Sequence, residues 1–304
     1  MSLSIIIVSW NVRDLLRDCL ASVYREAVPG MEVIVVDSGS ADGSAAMVHE
    51  EFAQVRLIAL EENVGFSRGN NIGIEAASGD MLLLLNPDTV VVEGALTALV
   101  ATMNAHPEAG VVGPMLLNED GSVQPSRRRF PTLWTAFFES TWLQKHAPRR
   151  VLDHYYVRDR SDDEAQPVDW VQGAAFVVRR AAVEAAGLLD EGYFMYSEEM
   201  DWQKRIREAG WDVHYAPAAR IVHFGGKSSD QVRAQRDIYF HTSKIRYFRL
   251  HHGAFAAGVL RLFLLASYVH QLLLEGLKGA LGHKRAMRRE RVAAYWQVLR
   301  SGLK

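Results

Sequence analysis

Five consecutive apolar residues, Met81 to Leu85, follow the turn pair Gly79-Asp80 and run straight into Asn86-Pro87-Asp88. An unbroken apolar run of this length between turn residues reads as a strand buried on both faces of a sheet. Such a strand lies at the centre of its domain, and open α/β sheets bind ligands in the crevice beyond the carboxyl ends of their strands. Pro87 stops the hydrogen-bond ladder, so the Asp88 carboxylate is expected to point out of the sheet. Asp is equally common as a turn or cap residue, and the periodic run Gly94 to His106 follows. The rest of the chain weighs on that choice.

Ser4 to Val8, Glu32 to Val36 and Val55 to Leu60 are further buried-strand runs. They end in the polar loops Ser9-Trp10-Asn11, Asp37 to Ser44 and Glu61 to Asn71. Leu15, Leu16, Cys19, Leu20 and Val23 form a helical face after the first loop, and a helix after the third is stopped by Gly79. Strands alternating with helices predict an α/β chain with a doubly wound, mostly parallel sheet. Two of the loops lead into helix N-termini, whose exposed N–H groups and positive dipole end suit a diphosphate. No G-x-G-x-x-G follows the first strand, which disfavours a dinucleotide site. Gly225-Gly226-Lys227-Ser228 ends like a Walker A loop, but Ile221 stands where the first glycine belongs. Asp37 ends the second strand. Its carboxylate can accept from a pyrimidine imide or from ribose hydroxyls, or it can close an Asx-turn through Ser38 to Ser40.

Beyond Gly110 the pattern changes. Val111 to Leu117 is a strand, Asn118 to Ser122 a turn, and Val123 starts a hairpin return. Arg127-Arg128-Arg129 either faces a phosphorylated acceptor or forms a solvated loop. Val151 to Pro167, rich in Asp and Arg, is expected to be a surface loop. Asp169 to Val178 reads as a strand lining the cleft, with Gly173 admitting close approach of a ligand. Ser197 is placed to cap a helix whose first turn holds Glu198, Glu199 and Asp201. Glu198 and Glu199 are adjacent, so at most one points into a cleft, and Asp201 and Arg205 have the spacing of a helical ion pair. Val213 to Ala216 and Arg220 to Phe224 are short strands. His223, after an acidic cluster, is a candidate metal ligand.

Charge is divided unevenly along the 304 residues: up to Gly226 there are 19 Lys+Arg against 32 Asp+Glu, and from Lys227 onward 15 against 4. An acidic body with a basic tail suggests an anionic partner for the tail alone. Phe255 to Leu281 is mostly apolar but interrupted by Arg261, His270, Gln271 and Glu275, and Lys284 to Arg291 is basic. That combination reads as an interfacial membrane anchor, or as a helical pair packed on the body or on a second subunit. The single cysteine, Cys19, fits a reducing compartment and core packing. The first apolar run is too short for a signal peptide.

Taken together, these motifs resemble family 2 glycosyltransferases of the GT-A fold, rhamnosyltransferase-like branch, over about residues 4 to 252. The resemblance rests on Val36 to Ser44, on Asn63-Val64-Gly65-Phe66 with Asn71-Ile72-Gly73-Ile74, and on Asn86-Pro87-Asp88. It rests also on Glu198-Glu199-Met200-Asp201 through Arg205, on His223, and on Ser243 through Gly253. It implies three parts: residues 1–115 as the nucleotide-sugar half, 116–226 as the acceptor and catalytic half, and 227–304 as a helical tail. It further implies an inverting transfer from a dTDP- or UDP-sugar, the sugar a deoxyhexose such as rhamnose, to a glycan or polyprenyl-linked acceptor in cell-surface polysaccharide synthesis. By the same resemblance Glu199 is the base, with Asp201 beside it. Ser9, Asn11, Asp37, Asn63, Gly65, Arg68, Asn70, Asn71 and Asn86 hold the nucleotide. Asp88 and His223 hold Mg²⁺ or Mn²⁺, and Trp170, Gly173, Glu198 and Arg205 face the acceptor.

The family pattern is broken at two places. Asn86 removes one charge from the metal site, and Glu199 stands where the family uses Asp. These departures motivate the alternative of a non-catalytic nucleotide-sugar or glycan-binding protein. A sugar nucleotidyltransferase shares the α/β plan, but would carry a Gly-rich first-strand loop where Ser9-Trp10-Asn11-Val12-Arg13 stands. The expected setting is the inner face of the cytoplasmic membrane, with no nucleic-acid partner and with a homodimer as an option.

Overall fold

A computed structural model describes residues 2–139, 141–225 and 233–304. The Walker-like Gly226-Lys227-Ser228 and the expected boundary at 226/227 therefore lie outside the described residues. In chain order the elements begin β1 (Leu3–Ser9), α1 (Arg13–Arg25), β2 (Glu32–Asp37), α2 (Ser44–Glu51), β3 (Arg56–Ala59), α3 (Phe66–Ala76) and β4 (Met81–Leu85). Next come β5 (Thr89–Val91), α4 (Ala95–Ala105), β6 (Ala109–Leu117), β7 (Val123–Gln124), β8 (Arg127–Arg128), α5 (Leu133–Phe138) and α6 (Arg149–Tyr155). Then follow β9 (Gln166–Val168), β10 (Trp170–Val171), β11 (Ala175–Arg179), α7 (Arg180–Ala186), α8 (Glu198–Glu208), β12 (Asp212–His223), α9 (Arg233–Ala280) and α10 (Arg285–Ser301).

The main sheet runs β3-β2-β1-β4-β11-β6-β12-β5, with β7 on β6 and β9 on β12. Strands β1 to β4 are mutually parallel, and β6 and β12 are parallel to each other. Between them β11 is antiparallel to both β4 and β6, so one reversed strand sits inside an otherwise parallel core. The unbroken apolar runs are explained by two layers. Ile5, Ile7, Leu83 and Leu85 pack with Leu16 and Leu20 on one face. Their neighbours Ile6, Val8, Leu82 and Leu84 pack with Ile74, Trp202 and Ile206 on the other. Alternate side chains of a strand point to opposite faces, so a sheet covered on both sides needs apolar residues at every position.

Three expectations change. Val151 to Pro167 is not a free surface loop: it contains the end of α6, and Arg127 and Arg129 tie it down through Asp162 and Asp159 at 2.6 and 2.7 Å. Asp169 to Val178 is not one strand. Trp170–Val171 pairs with β8 in a separate two-stranded ribbon, and only Ala175 onward joins the main sheet. Ser197 is no extended N-cap, because Tyr196 and Ser197 enter α8 in the left-handed region at φ 71° and 65°.

The chain forms two compact units. The first comprises Met1–Phe130, His154–Phe194 and Glu198–Ser228, and the second Pro131–Asp153, Met195–Ser197 and Ser229–Lys304. Membership follows packing and not chain order: segments from the middle of the sequence join the tail. In the second unit α9 breaks at Gly253, whose φ of 86° is left-handed. Its distal part forms a hairpin with α10, held by an ion pair between Glu275 and Arg288 and by Arg261 Nε donating to Gly302 O at 2.7 Å.

Candidate active site

Strands β1, β2, β3, β4, β6 and β12 share one direction, so their carboxyl ends lie along one edge, and β11 starts there. Ser9 pairs in register with Asp37, and Ala175 with Leu85. Asn86 N donates to Ala174 O at 2.8 Å, and Phe224 N to Asp88 O at 3.0 Å. The topology thus gathers Ser9, Asp37, Asn86, Asp88, Gly173 and His223 from five separate stretches of sequence.

Buried polar atoms are normally hydrogen-bonded, and exceptions point to ligands or chemistry. At this edge Ser9 Oγ, Asp37 Oδ1, Ser67 Oγ, Asn86 Oδ1, Glu198 Oε2 and Glu199 Oε2 are all buried without a protein partner. Asp37 Oδ2 closes the Asx-turn by accepting from Ser40 N at 3.0 Å, and Oδ1 has no protein partner. Gly65 keeps the next loop tight: at φ 84°, any Cβ there would lie 2.6 Å from Phe194 O. Arg68, on the first turn of α3, is exposed and has no ion-pair partner among the described residues.

Asp88 Oδ1 lies 3.5 Å from His223 Nε2, with both side chains nearly buried. His223 Nδ1 is 2.7 Å from Gln124 Oε1. The Gln124 amide nitrogen donates to Asn118 Oδ1 at 3.0 Å, which leaves its oxygen as acceptor for an Nδ1–H. The Nε2 lone pair then faces Asp88, and the two atoms stand at a separation that two ligands of one divalent cation adopt. The donor set is only two protein atoms, so oxygen atoms of a bound diphosphate would have to complete it. His106, Glu108 and His214 also cluster within 4.8 Å, but at the start of β12, the opposite end from His223.

The carboxylate pair sits on the first turn of α8. Burial drives the pKa of Glu198 well above the ordinary carboxylate range, and the neighbouring Glu199 charge adds to this. Burial also raises Glu199, but the N–H groups of Glu199, Gly173 and Met200 and the Arg128 cation counter it. Gly173 N donates to Glu199 Oε1 at 3.3 Å. Both carboxyls are pushed up by burial, but Glu198 more strongly, so of the two Glu198 holds a proton more tightly and Glu199 ionises more readily. A Cβ at Gly173 would stand 3.3 Å from the Glu199 carboxyl carbon, close enough to make that side chain shift.

Several expected site residues also hold the scaffold. Asp201 is buried and paired with Arg205 at 2.9 Å, and Arg205 also donates to the carbonyls of Ala186 and Leu188. The pair anchors α8 to the end of α7. Asn71 receives Leu189 N and donates to Leu189 O and Glu191, which uses both ends of its amide. Asn70 donates to Phe66 O of its own helix. Asn63 Oδ1 accepts from Ser38 Oγ and Gly65 N, and Asn11 Oδ1 from Ala41 N, so these two shape the loops that carry Asp37 and Gly65. Trp170 donates its indole N–H to Arg129 O and packs as a wall. Sequence reasoning missed Gln124 and Gln203. Gln203 clamps α8 to β10 through both amide ends, 2.8 Å from Val171 N and O. A lone Gln carries no local signal for either task.

The family model described as glycosyl transferase family 2 matches residues 4–183. The Mycobacterium tuberculosis (strain H37Rv) N-acetylglucosaminyl-diphospho-decaprenol L-rhamnosyltransferase is 29% identical over 270 residues, covering 85% of this chain and 88% of the relative. Rhamnosyltransferase WbbL of Escherichia coli K12 is 29% identical over 168 residues, covering 53% and 61%. Among solved structures, the mannosyltransferase PcManGT from Pyrobaculum calidifontis in complex with GDP-Man and Mn²⁺ superposes with a TM-score of 0.55. It is 18% identical, covers 99% of this chain and 84% of its own, and shares the fold.

Proposed function

Because this chain belongs to glycosyl transferase family 2, we propose that it is an inverting glycosyltransferase of cell-surface polysaccharide synthesis. It moves a deoxyhexose such as rhamnose from a dTDP- or UDP-linked donor to a lipid-linked glycan. The observation that carries this reading is the set of unpartnered buried polar atoms at one sheet edge, with a split carboxylate pair beside them. Asp37, Ser9 and Asn86 bind the nucleotide and the donor phosphates. Asp88 and His223 would hold Mn²⁺ or Mg²⁺, whose charge would offset that of the diphosphate leaving group. Glu199 accepts the acceptor's hydroxyl proton while that oxygen bonds to the anomeric carbon. The anomeric C–O bond to the diphosphate breaks with its electron pair on the leaving oxygen. One base on one side of the sugar favours inversion. The N-acetylglucosaminyl-diphospho-decaprenol in the Mycobacterium tuberculosis relative's name supports the same acceptor class here.

The tail supports a peripheral position at the inner face of the cytoplasmic membrane. Phe255, Leu262, Leu273, Leu277 and Leu281 are exposed along α9 and its end, with basic Arg285, Arg289 and Arg291 close by in α10. An apolar stripe with cationic flanks matches an anionic lipid surface. By length and composition Ala234–Ala280 could cross a bilayer, and Gly253 divides it into two helical stretches. The decisive assay is sugar transfer from a panel of nucleotide-sugars to a polyprenyl-diphosphate N-acetylhexosamine with Mn²⁺ or Mg²⁺. Transfer by wild type, lost in Glu199→Gln, is expected. Full turnover by Glu199→Gln removes it from the base role.

A further inference from the structure

Of three consecutive arginines, two are neutralised inside the protein and one is not. Arg127 is buried, pairs with Asp162 at 2.6 Å and lies over the Tyr215 ring. Arg129 pairs with Asp159 at 2.7 Å. Arg128, between them, has no carboxylate partner among the described residues. Its guanidinium lies over the Tyr156 ring at 4.5 Å and the Tyr155 ring at 5.7 Å, and one N–H donates to Arg127 O. The aromatic faces hold the cation without neutralising it, and a planar guanidinium fixed in this way is organised for bidentate binding of phosphate.

Its position is set by strand pairing. In the β8–β10 ribbon Arg128 is registered against Trp170, and Gln172 N donates to Ser126 O. One residue further, Gly173 N holds Glu199. Arg128 is therefore carried on the same ribbon that positions the base, close enough for its charge to act on the Glu199 carboxylate. The metal pair Asp88 and His223, which serves the donor diphosphate, is carried on β12 and the turn after β4.

We propose that Arg128, braced by Tyr155 and Tyr156, is the anion subsite of the acceptor: it binds the phosphate or diphosphate that links the acceptor sugar to its lipid. This rests on the glycosyltransferase reading and adds a requirement to it, that a good acceptor carries an anionic group near the sugar that is extended. Binding the anion there places the attacking hydroxyl beside Glu199, so the effect falls on acceptor KM and not on donor affinity.

The test compares two acceptors of the full-length protein, a short-chain polyprenyl-diphosphate N-acetylhexosamine and a neutral alkyl glycoside of the same sugar. Arg128→Gln is expected to raise KM for the diphosphate acceptor about 10- to 100-fold, the range for losing a charged hydrogen-bond pair. For the neutral acceptor, with both KM values taken at a pH above the acid limb so that Glu199 is ionised in wild type and variant alike, the change should stay under about threefold. Arg128→Lys should recover part of the loss, and donor Kd by calorimetry should not move. Equal losses on both acceptors, or a weakened donor Kd, overturn the proposal while leaving the glycosyltransferase reading intact. No transfer by wild type to either acceptor overturns that reading instead. If Arg128→Gln does not fold, Tyr156→Leu with the same two acceptors decides it: selective loss on the diphosphate acceptor supports the subsite, and equal loss overturns it.

Discussion

Glu198 and Glu199 share one helical turn but not one electrostatic environment. Adjacent acids on a sequence cannot be ranked, since each is a carboxylate at a helix start. The fold ranks them by giving Glu199 the Gly173 N–H and the Arg128 cation while Glu198 has burial and a neighbouring charge. The base must be ionised to act, so the acid limb of kcat/KM is expected above the ordinary carboxylate range of about 4. Arg128→Gln should move that limb further up, a shift read from pH–rate profiles. Glu198 also affects stability. Its folded pKa is raised, so the folded chain binds that proton more tightly than the unfolded one. Its contribution to stability is full below the unfolded pKa and is lost as pH rises through the folded value. Glu198→Gln should therefore raise Tm at pH 8 and give little gain at pH 4. An equal gain at both values would mean that the ionised pair is not what is being relieved. Gln124 acts at the same scale. Gln124→Ala should weaken Mn²⁺ binding in the presence of nucleoside diphosphate by about 10- to 100-fold, measured by calorimetry, because the imidazole loses its orienting partner.

The element that most directly shapes the nucleotide side is α3. Gly69 and Gly73 lie one helical turn apart and let its backbone rest on β1. A Cβ at Gly73 would meet Ile6 Cγ2 at 2.3 Å, and one at Gly69 would meet Val8 Cγ1 at 2.7 Å. The repeated glycines of the third loop and its helix were visible in the sequence as a motif. Their reason, a helix seated on a strand, was not. Gly73→Ala is expected to destabilise by about 1–3 kcal/mol in urea titrations, since overpacking against a branched carbon exceeds the helix-propensity gain. Gly258→Ala, in α9 with nothing within 4 Å of its Cβ, should instead stabilise by about 0.5–1 kcal/mol. Matching signs in the two variants would show that close approach is not what Gly73 provides. The strands from β1 to β4 stand close to where periodicity placed them. Asp169 to Val178 did not, because a run of apolar residues does not say which of two partners it will pair with.

On the scale of the whole molecule, the tail is where composition says most and least. It signalled an anionic partner through its charge, and the second unit presents Leu273 and Leu277 at 65% and 60% exposure beside the cationic α10. Vesicles containing anionic lipid should bind the full chain more tightly than neutral ones. Leu273→Glu with Leu277→Glu should reduce binding at least about tenfold, because each removes an apolar side chain worth about 1.5–3 kcal/mol when buried. A concentration-dependent dimer with no vesicle binding would assign that face to a second copy. The sequence by itself determined the α/β class, the strands whose ends carry Asp37 and Asp88, and the acidic helix start at Glu198, because buried strands and polar strand ends leave a local periodic record. Only the tertiary structure decided which of those polar residues are free to act. Asn71 is taken by Leu189, 118 residues away, Gln203 by Val171, 32 away, and His223 is set by Gln124, 99 away. Hydrogen-bond partners at such distances leave no trace in spacing, and the Gly173 N–H and Arg128 charge that rank the two glutamates reach Glu199 only once the chain has folded.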